Sequence, residues 1–209
     1  MRHLTLAMLA LAAAAGTASA QTRGRPARDL TPPPSGLLLN VHAFAMPGFS
    51  IKGQDIAGAI KTSMGPGIGA QIGYVFASHF MVFANVDIAR LGAAGDQTGH
   101  WGLGIIELGG RVSFPTANHR LTPYVAASFG GRGLGAEAEG LGGDVTFGGI
   151  AVSGGGGLTY ALSRSLALDG GVMLSLGKFG DYEDPFQKGD LSVDNTLTTR
   201  IRFGLNWRP

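Results

Sequence analysis

The chain of 209 residues contains no cysteine, so neither a disulfide framework nor a lipid anchor on cysteine can be built from it. Charge is scarce as well. Only 14% of residues are Asp, Glu, Lys or Arg, against about 25% in an average globular chain. The formal net charge is +2, and much of it comes from Arg2, Arg23, Arg25 and Arg28 ahead of residue 30, which gives no nucleic-acid signal. Long hydrophobic runs are missing too. The apolar stretch 4–15 falls short of the roughly 20 residues of a spanning helix, and no later stretch approaches that length. Glycine, by contrast, is abundant, with 36 residues where an average chain has about 7%. Glycine at that level without a collagen period suggests disorder, but an apolar fraction of 44% argues against it.

The N-terminus carries a short basic head, Met1-Arg2-His3, then the apolar stretch, then Ala18-Ser19-Ala20. This is the pattern of a secretory signal peptide over 1–20, with cleavage expected after Ala20 and export of the chain. Residues 21–36, rich in Pro, Arg and Gly with no apolar period, read as a flexible, partly polyproline linker. One domain is expected over 37–207.

Within that domain the apolar residues recur with period two, the signature of strands whose successive side chains point to opposite faces. Eight such segments are expected, at 37–46, 66–76, 80–90, 102–114, 121–131, 147–162, 166–177 and 195–207. In the second, Ile68, Ala70, Ile72, Tyr74 and Phe76 alternate with Gly67, Gly69, Gln71 and Gly73. In the last, Leu197, Thr199, Ile201, Phe203, Leu205 and Trp207 alternate with Thr198, Arg200, Arg202, Gly204 and Asn206. The connections alternate in length: those near 47–65, 91–101, 132–146 and 178–194 are long, and those near 77–79, 115–120 and 163–165 are short. Long loops at one end and short turns at the other predict an all-β, eight-stranded antiparallel up-and-down transmembrane β-barrel.

The choice of outer face follows from chemistry. The non-apolar face is mostly Gly, Ala, Ser and Thr, far below the roughly 25–35% charge of a water-facing surface. Small residues suit the inside of a narrow barrel. The apolar face carries no charge over eight segments, as expected where each lipid-facing Arg or Lys at mid-depth costs about 2–4 kcal/mol. Phe76, Phe80, Phe114, Tyr160 and Trp207 fall at the short-turn ends on the lipid side, forming an interfacial girdle. Trp101, Phe129 and Phe147 lie near the other rim.

The charges left on the inner face are three acids, Asp87, Glu107 and Asp169, and three cations, Arg111, Arg200 and Arg202. They are expected to form a luminal ionic cluster, because an unpaired charge in the interior is intolerable. Arg200 is expected to pair with Glu107 or Asp87, and Arg202 with Asp169. His42, on the first strand beside the last, is expected to be a hydrogen-bonded filler.

The stretch "LTPYVAASFGG" (121–131), the glycine-rich alternating strands and the terminal "TRIRFGLNW" (199–207) resemble the small eight-stranded outer-membrane barrels of Gram-negative bacteria, of the OmpA, OmpX and opacity-protein type. The resemblance implies residence in the bacterial outer membrane and contact with its lipid and lipopolysaccharide. It also implies a last strand read by the barrel-assembly machinery, through Phe203, Leu205 and Trp207. Here Arg208 and Pro209 follow that aromatic, whereas the family usually ends on it.

Three function classes are compatible with such a barrel. The first is a non-enzymatic structural or surface-interaction protein acting through its four long extracellular loops. The second is a narrow pore or gated channel with the Arg–acid cluster as its constriction, which inward glycines would widen. The third is a lipid-modifying enzyme, which needs a nucleophile beside a base. None of His42, His79, His100 or His119 has a serine two residues on, the arrangement found in small barrel deacylases, so no catalytic residue is expected. Gly154–Gly157 lacks the Lys-Ser/Thr of a phosphate loop and is expected to let its strand bend or pack closely. Asp181, Glu183 and Asp184 do not match the twelve-residue calcium-loop spacing. No metal or cofactor is expected, and the protein is expected to be monomeric.

Overall fold

The structure is a computed structural model, described here for residues 35–51, 60–94, 99–116, 120–138, 143–183, 188–190 and 196–209. The expected signal peptide and almost all of the expected linker lie outside the described residues. The strands are β1 (Gly36–Met46), β2 (Ser50–Ile51), β3 (Ile60–Lys61), β4 (Gly65–Phe76), β5 (Phe80–Gly92), β6 (His100–Ser113), β7 (Leu121–Ala138), β8 (Gly143–Ala161), β9 (Leu166–Glu183), β10 (Lys188–Asp190) and β11 (Thr196–Trp207). Among the described residues no helix is long and apolar enough to cross a membrane.

Eight of these strands, β1, β4 to β9 and β11, pair antiparallel in chain order, and β11 returns to pair with β1. The sheet is a closed barrel, which leaves no open edge among these eight strands. Partner residues followed round the barrel run Leu39, Ile72, Ala84, Leu108, Phe129, Val152, Leu176, Leu197. The β1–β11 register places Leu197 level with position 49, because Ala45 faces Ile201. The circuit therefore ends ten residues from its start, and eight strands with that stagger tilt by roughly 40°.

The faces fall as the period predicts. Ile68, Val86, Ile106, Phe129, Val152 and Phe203 point outward, and all are half or more exposed. On β5 the outward face runs from Phe80 to Arg90, both exposed, with no charge between them. Ten residues at ~3.3 Å each, so tilted, rise about 25 Å, the height of the apolar band of an outer-membrane barrel. Arg90 and, on β9, the exposed Lys178 mark the upper edge of that band. Phe76, Phe80, Phe114, Tyr160 and Trp207 are exposed at its lower edge.

The short turn after β4 is tight. Ala77 and Ser78 both have positive φ, 48° and 64°, and His79 N–H donates to Phe76 O at 3.2 Å. This is the double left-handed turn whose twist matches a hairpin, made here without glycine or asparagine.

At the opposite end the structure departs from the expected boundaries. β7 continues to Ala138 and β8 starts at Gly143, so the expected long loop near 132–146 is instead mostly a paired ribbon. β9 likewise continues to Glu183 and carries β10 folded against its end. After β1 the chain turns over the barrel mouth. β2 and β3 form a small ribbon, Thr62 bridges to Ala93, and Phe49 and Ile51 are buried in the upper interior.

Candidate functional site

The inward face of the barrel is the candidate site, and three layers of side chains fill it. The lowest polar layer lies near the short turns. Arg111 on β6 donates from Nη1 to Asp169 Oδ2 at 3.1 Å and from Nη2 to Thr159 Oγ1. Its guanidinium lies 3.5 Å over the Tyr124 ring, and Tyr124 O–H donates to Asp169 Oδ1 at 3.0 Å. Tyr124 can lie there because β8 and β9 present glycine. A Cβ at Gly157 or at Gly171 would meet the Tyr124 hydroxyl at 2.6 Å. That is the close packing expected of the Gly154–Gly157 run.

Asn206 Nδ2 donates to Asp169 Oδ2 at 3.2 Å, and Asn40 Nδ2 to Asn206 Oδ1 at 2.8 Å. These two amides link the lower layer to the middle one. His42 stands at the junction, with Nδ1 2.7 Å from Asn40 Oδ1 and Nε2 2.7 Å from Asp87 Oδ1. A side chain at Gly69 would occupy the place where His42 meets Asp87.

Arg200 is the centre of the middle layer and has no exposed surface. It donates from Nη1 to Asp87 Oδ2 at 2.6 Å and from Nη2 to Glu107 Oε1 at 2.7 Å. Nη2 also reaches Ser153 Oγ at 3.2 Å and Ser175 Oγ at 3.1 Å. Ser153 in turn donates to Glu107 Oε1 at 2.5 Å. One guanidinium thus gathers groups from β5, β6, β8 and β9 across the lumen, with Asp87 and Glu107 only 1% and 2% exposed. The planar fork suits this role, because it offers several donors in fixed directions.

The expected pairing of Arg202 with Asp169 does not occur. Arg111 holds that carboxylate, while Arg202 Nη2 points to Gln71 Oε1 at 3.2 Å, His42 Nδ1 at 3.3 Å and Asn85 Oδ1 at 3.5 Å. Asp169 sits opposite Gly204 in the β9–β11 register, but Arg202 leans the other way, toward β1, β4 and β5. All six expected luminal charges are buried, and Asn206, Asn40 and His42 link all six into one network, Arg202 entering at His42.

The inward glycines do not leave a channel at these levels. Phe44 lies over Gly67, Met81 over Gly73 and Phe83 over Gly109, each taking the place a Cβ would occupy. Leu38, Val75, Met81 and Phe83 form a small apolar cluster near the short turns. A larger cluster fills the outer third, built from Phe44, Met46, Phe49, Ile51, Leu91, Leu103, Ile105, Leu134, Phe147 and Phe179 with Trp101 against it. Trp101 and Phe147 therefore face inward, their ring centroids 6.2 Å apart, and only Phe129 of that expected trio faces outward. The recess at the short-turn mouth, about 90 Å³, is bordered by Arg111, Thr159 and Arg208.

Arg132 is the interior cation that sequence reasoning missed. It lies on β7 above the middle layer, is 6% exposed, and its guanidinium stacks 4.2 Å from the Phe179 ring centroid. Its surroundings, "GGRGLG", read as a turn, so β7 is expected to end at Gly131. The available signal was phase: Arg132 continues the inward series Tyr124, Ser128, Gly130. Phe203, Leu205 and Trp207 are exposed on the outer face of β11.

No protein-family model matches the chain, and no curated protein does. Solved structures do. The barrel is similar to Neisserial surface protein A, NspA, at 18% identity and a TM-score of 0.57, covering 82% of this chain and 97% of that one. It is similar to OprG from Pseudomonas aeruginosa, an outer membrane protein, at 12% identity and a TM-score of 0.52, covering 83% and 97%. It is also similar to Ail, the attachment invasion locus protein of Yersinia pestis, at 14% identity and a TM-score of 0.51, covering 83% and 99%. The fold is that of the small eight-stranded outer-membrane barrels.

Proposed function

We propose that this chain is an integral outer-membrane β-barrel with an occluded lumen and a structural or surface-interaction role, presented by the rim at its long-connection end. The observation that carries the reading is Arg200. With no exposed surface and with Asp87, Glu107, Ser153 and Ser175 gathered round it, it closes the lumen at mid-depth. A gap that ions could follow would leave those groups hydrated. Below them the Tyr124–Arg111–Asp169 layer fills the section again.

The bilayer itself is the first partner. The outward apolar face of about 25 Å needs hydrocarbon, and the exposed aromatic ring at its lower edge needs an interface. Lipopolysaccharide would meet the upper edge, where Arg90 and Lys178 are exposed. The outward Phe203, Leu205 and Trp207 of β11 are the groups offered to the barrel-assembly machinery. What remains for interaction outside the membrane is the rim, including the extended β7–β8 ribbon. Ail, which shares the fold, is an attachment protein by name, and a surface role of that kind fits a barrel whose interior is shut. The His42–Asp87 pair is no hydrolytic centre, because both groups are buried in the network and the Ser153 and Ser175 hydroxyls are committed to Arg200.

Conductance tests this reading. Refolded protein in a planar bilayer is expected to be silent, and Arg200→Ala is expected to stay silent because the Tyr124–Arg111–Asp169 layer and the outer apolar cluster still fill the section. Reproducible unitary currents from the unsubstituted protein would overturn the occluded lumen and favour a narrow pore gated by the cluster.

A further inference from the structure

Buried polar groups almost always have hydrogen-bond partners, so each exception needs a reason. Arg132 is a severe exception. Its Nε, Nη1 and Nη2 are all buried without a hydrogen-bond partner among the described residues. Four residues below it on the same inward face, the hydroxyl of Ser128, which is 5% exposed, is also without a partner. Gly130 lies between them, and a Cβ there would strike the backbone of Ile106 and Glu107. β7 thus presents a strip with an unmet guanidinium at one end, an unmet hydroxyl at the other and bare backbone between. Across from Arg132, its β8 partner is Gly149, which likewise has no side chain.

The surroundings of the guanidinium are apolar. Ile105 is its partner on β6, Phe179 supports its face, and Leu134 is the next inward residue on β7, paired with Phe147. Aromatic stacking satisfies the face of the cation but none of its N–H donors. A guanidinium fork matches a carboxylate bidentately, and in a desolvated site such a pair is strong. The other three buried luminal arginines all have acceptors, acids for Arg200 and Arg111 and Gln71, His42 and Asn85 for Arg202.

We propose that Arg132 is the recognition cation of a ligand site inside the outer third of the barrel, which takes the carboxylate of an amphiphile whose apolar body lies against Ile105, Leu134, Phe147 and Phe179. The carboxylate supplies the two acceptors that the fork lacks. The apolar body replaces contacts among side chains that carry no polar atom.

Trp101 packs against this cluster and reports on it. In a Trp207→Phe background, Trp101 is the one tryptophan left, since the chain has two. The protein is refolded into zwitterionic lipid nanodiscs and titrated with 11-bromoundecanoate, whose bromine quenches indole, and with the matching bromo-alcohol. Folding of each variant is checked by its heat-dependent shift on a detergent gel. Saturable quenching by the acid, reversed by dodecanoate, is expected for the parent protein. Arg132→Gln is expected to weaken it by at least tenfold, and the alcohol is expected to quench both proteins equally and without saturation. Arg132→Met, which removes a buried unpaired charge, is expected to fold at least as well as the parent and still not to bind. Equal affinity of the acid for the parent and for either folded variant would overturn the proposal. So would equal quenching of the parent by acid and alcohol.

Discussion

Neutralising both acids that hold Arg200, in an Asp87→Asn/Glu107→Gln variant, is expected to cost about 3–5 kcal/mol of folding stability, the range found when a buried ion pair loses one side. The reason is asymmetric. A buried carboxylate that loses its partner can shed its charge by taking up a proton. A guanidinium cannot, since it stays protonated throughout the accessible pH range. Arg200 has no exposed surface and no route to water that avoids the layers above and below it. Arg200→Met alone is therefore expected to cost less than the double variant, and adding Arg200→Met to the double variant to restore most of the loss. Equilibrium unfolding by urea in short-chain lipid vesicles measures all three. A double variant as stable as the parent would show that the network does not hold the lumen together.

Placing arginine on the outward face at mid-depth is expected to have the second largest effect. Val86 lies six residues along β5 from the exposed Phe80 and four from the exposed Arg90, near the centre of the apolar band. Val86→Arg is expected to cost about 2–4 kcal/mol in the same vesicles. The same change at Ile88, one step nearer Arg90, is expected to cost less, because the side chain can reach the interface along its own stem. In an outer face bathed by water, both substitutions would be nearly neutral. The gradient with depth therefore separates lipid from water as the solvent of this face.

Much of the architecture was legible because period two survives wherever one face is uniform. The outward series Ile68, Ala70, Ile72, Tyr74, Phe76 and Phe80, Val82, Ala84, Val86, Ile88 are uninterrupted, and the structure orients them as read. The inner face was harder because it is not simply polar. "HAFAM" and "FMVFAN" place Phe44, Met46, Met81 and Phe83 inward among outward apolar residues, so those stretches look apolar on both faces. Phe44, Met81 and Phe83 sit over glycines of a neighbouring strand, and a glycine's role as a seat for another strand's side chain is invisible until register is known. The charge pairs show the same limit. Arg111 and Asp169 lie on β6 and β9, far apart in sequence, and the barrel's stagger decides which inward groups share a level. Arg132 was hidden for a local reason. Glycine on both sides reads as a turn, yet here glycine accompanies a strand that continues for six residues beyond the arginine.

The central claim is that the apolar face meets lipid and the inner face is filled. The most direct measurement is a nitroxide scan of β7, simplified by the absence of native cysteine. Single cysteines would replace Val125, Ala126, Ala127, Ser128 and Phe129, each labelled and refolded into vesicles. Collision rates would be measured with oxygen, which concentrates in lipid, and with a water-soluble nickel chelate. Sites 125, 127 and 129 are expected to favour oxygen strongly, while 126 and 128 are expected to be shielded from both. High nickel accessibility at 125, 127 and 129 would put that face in water and contradict the account.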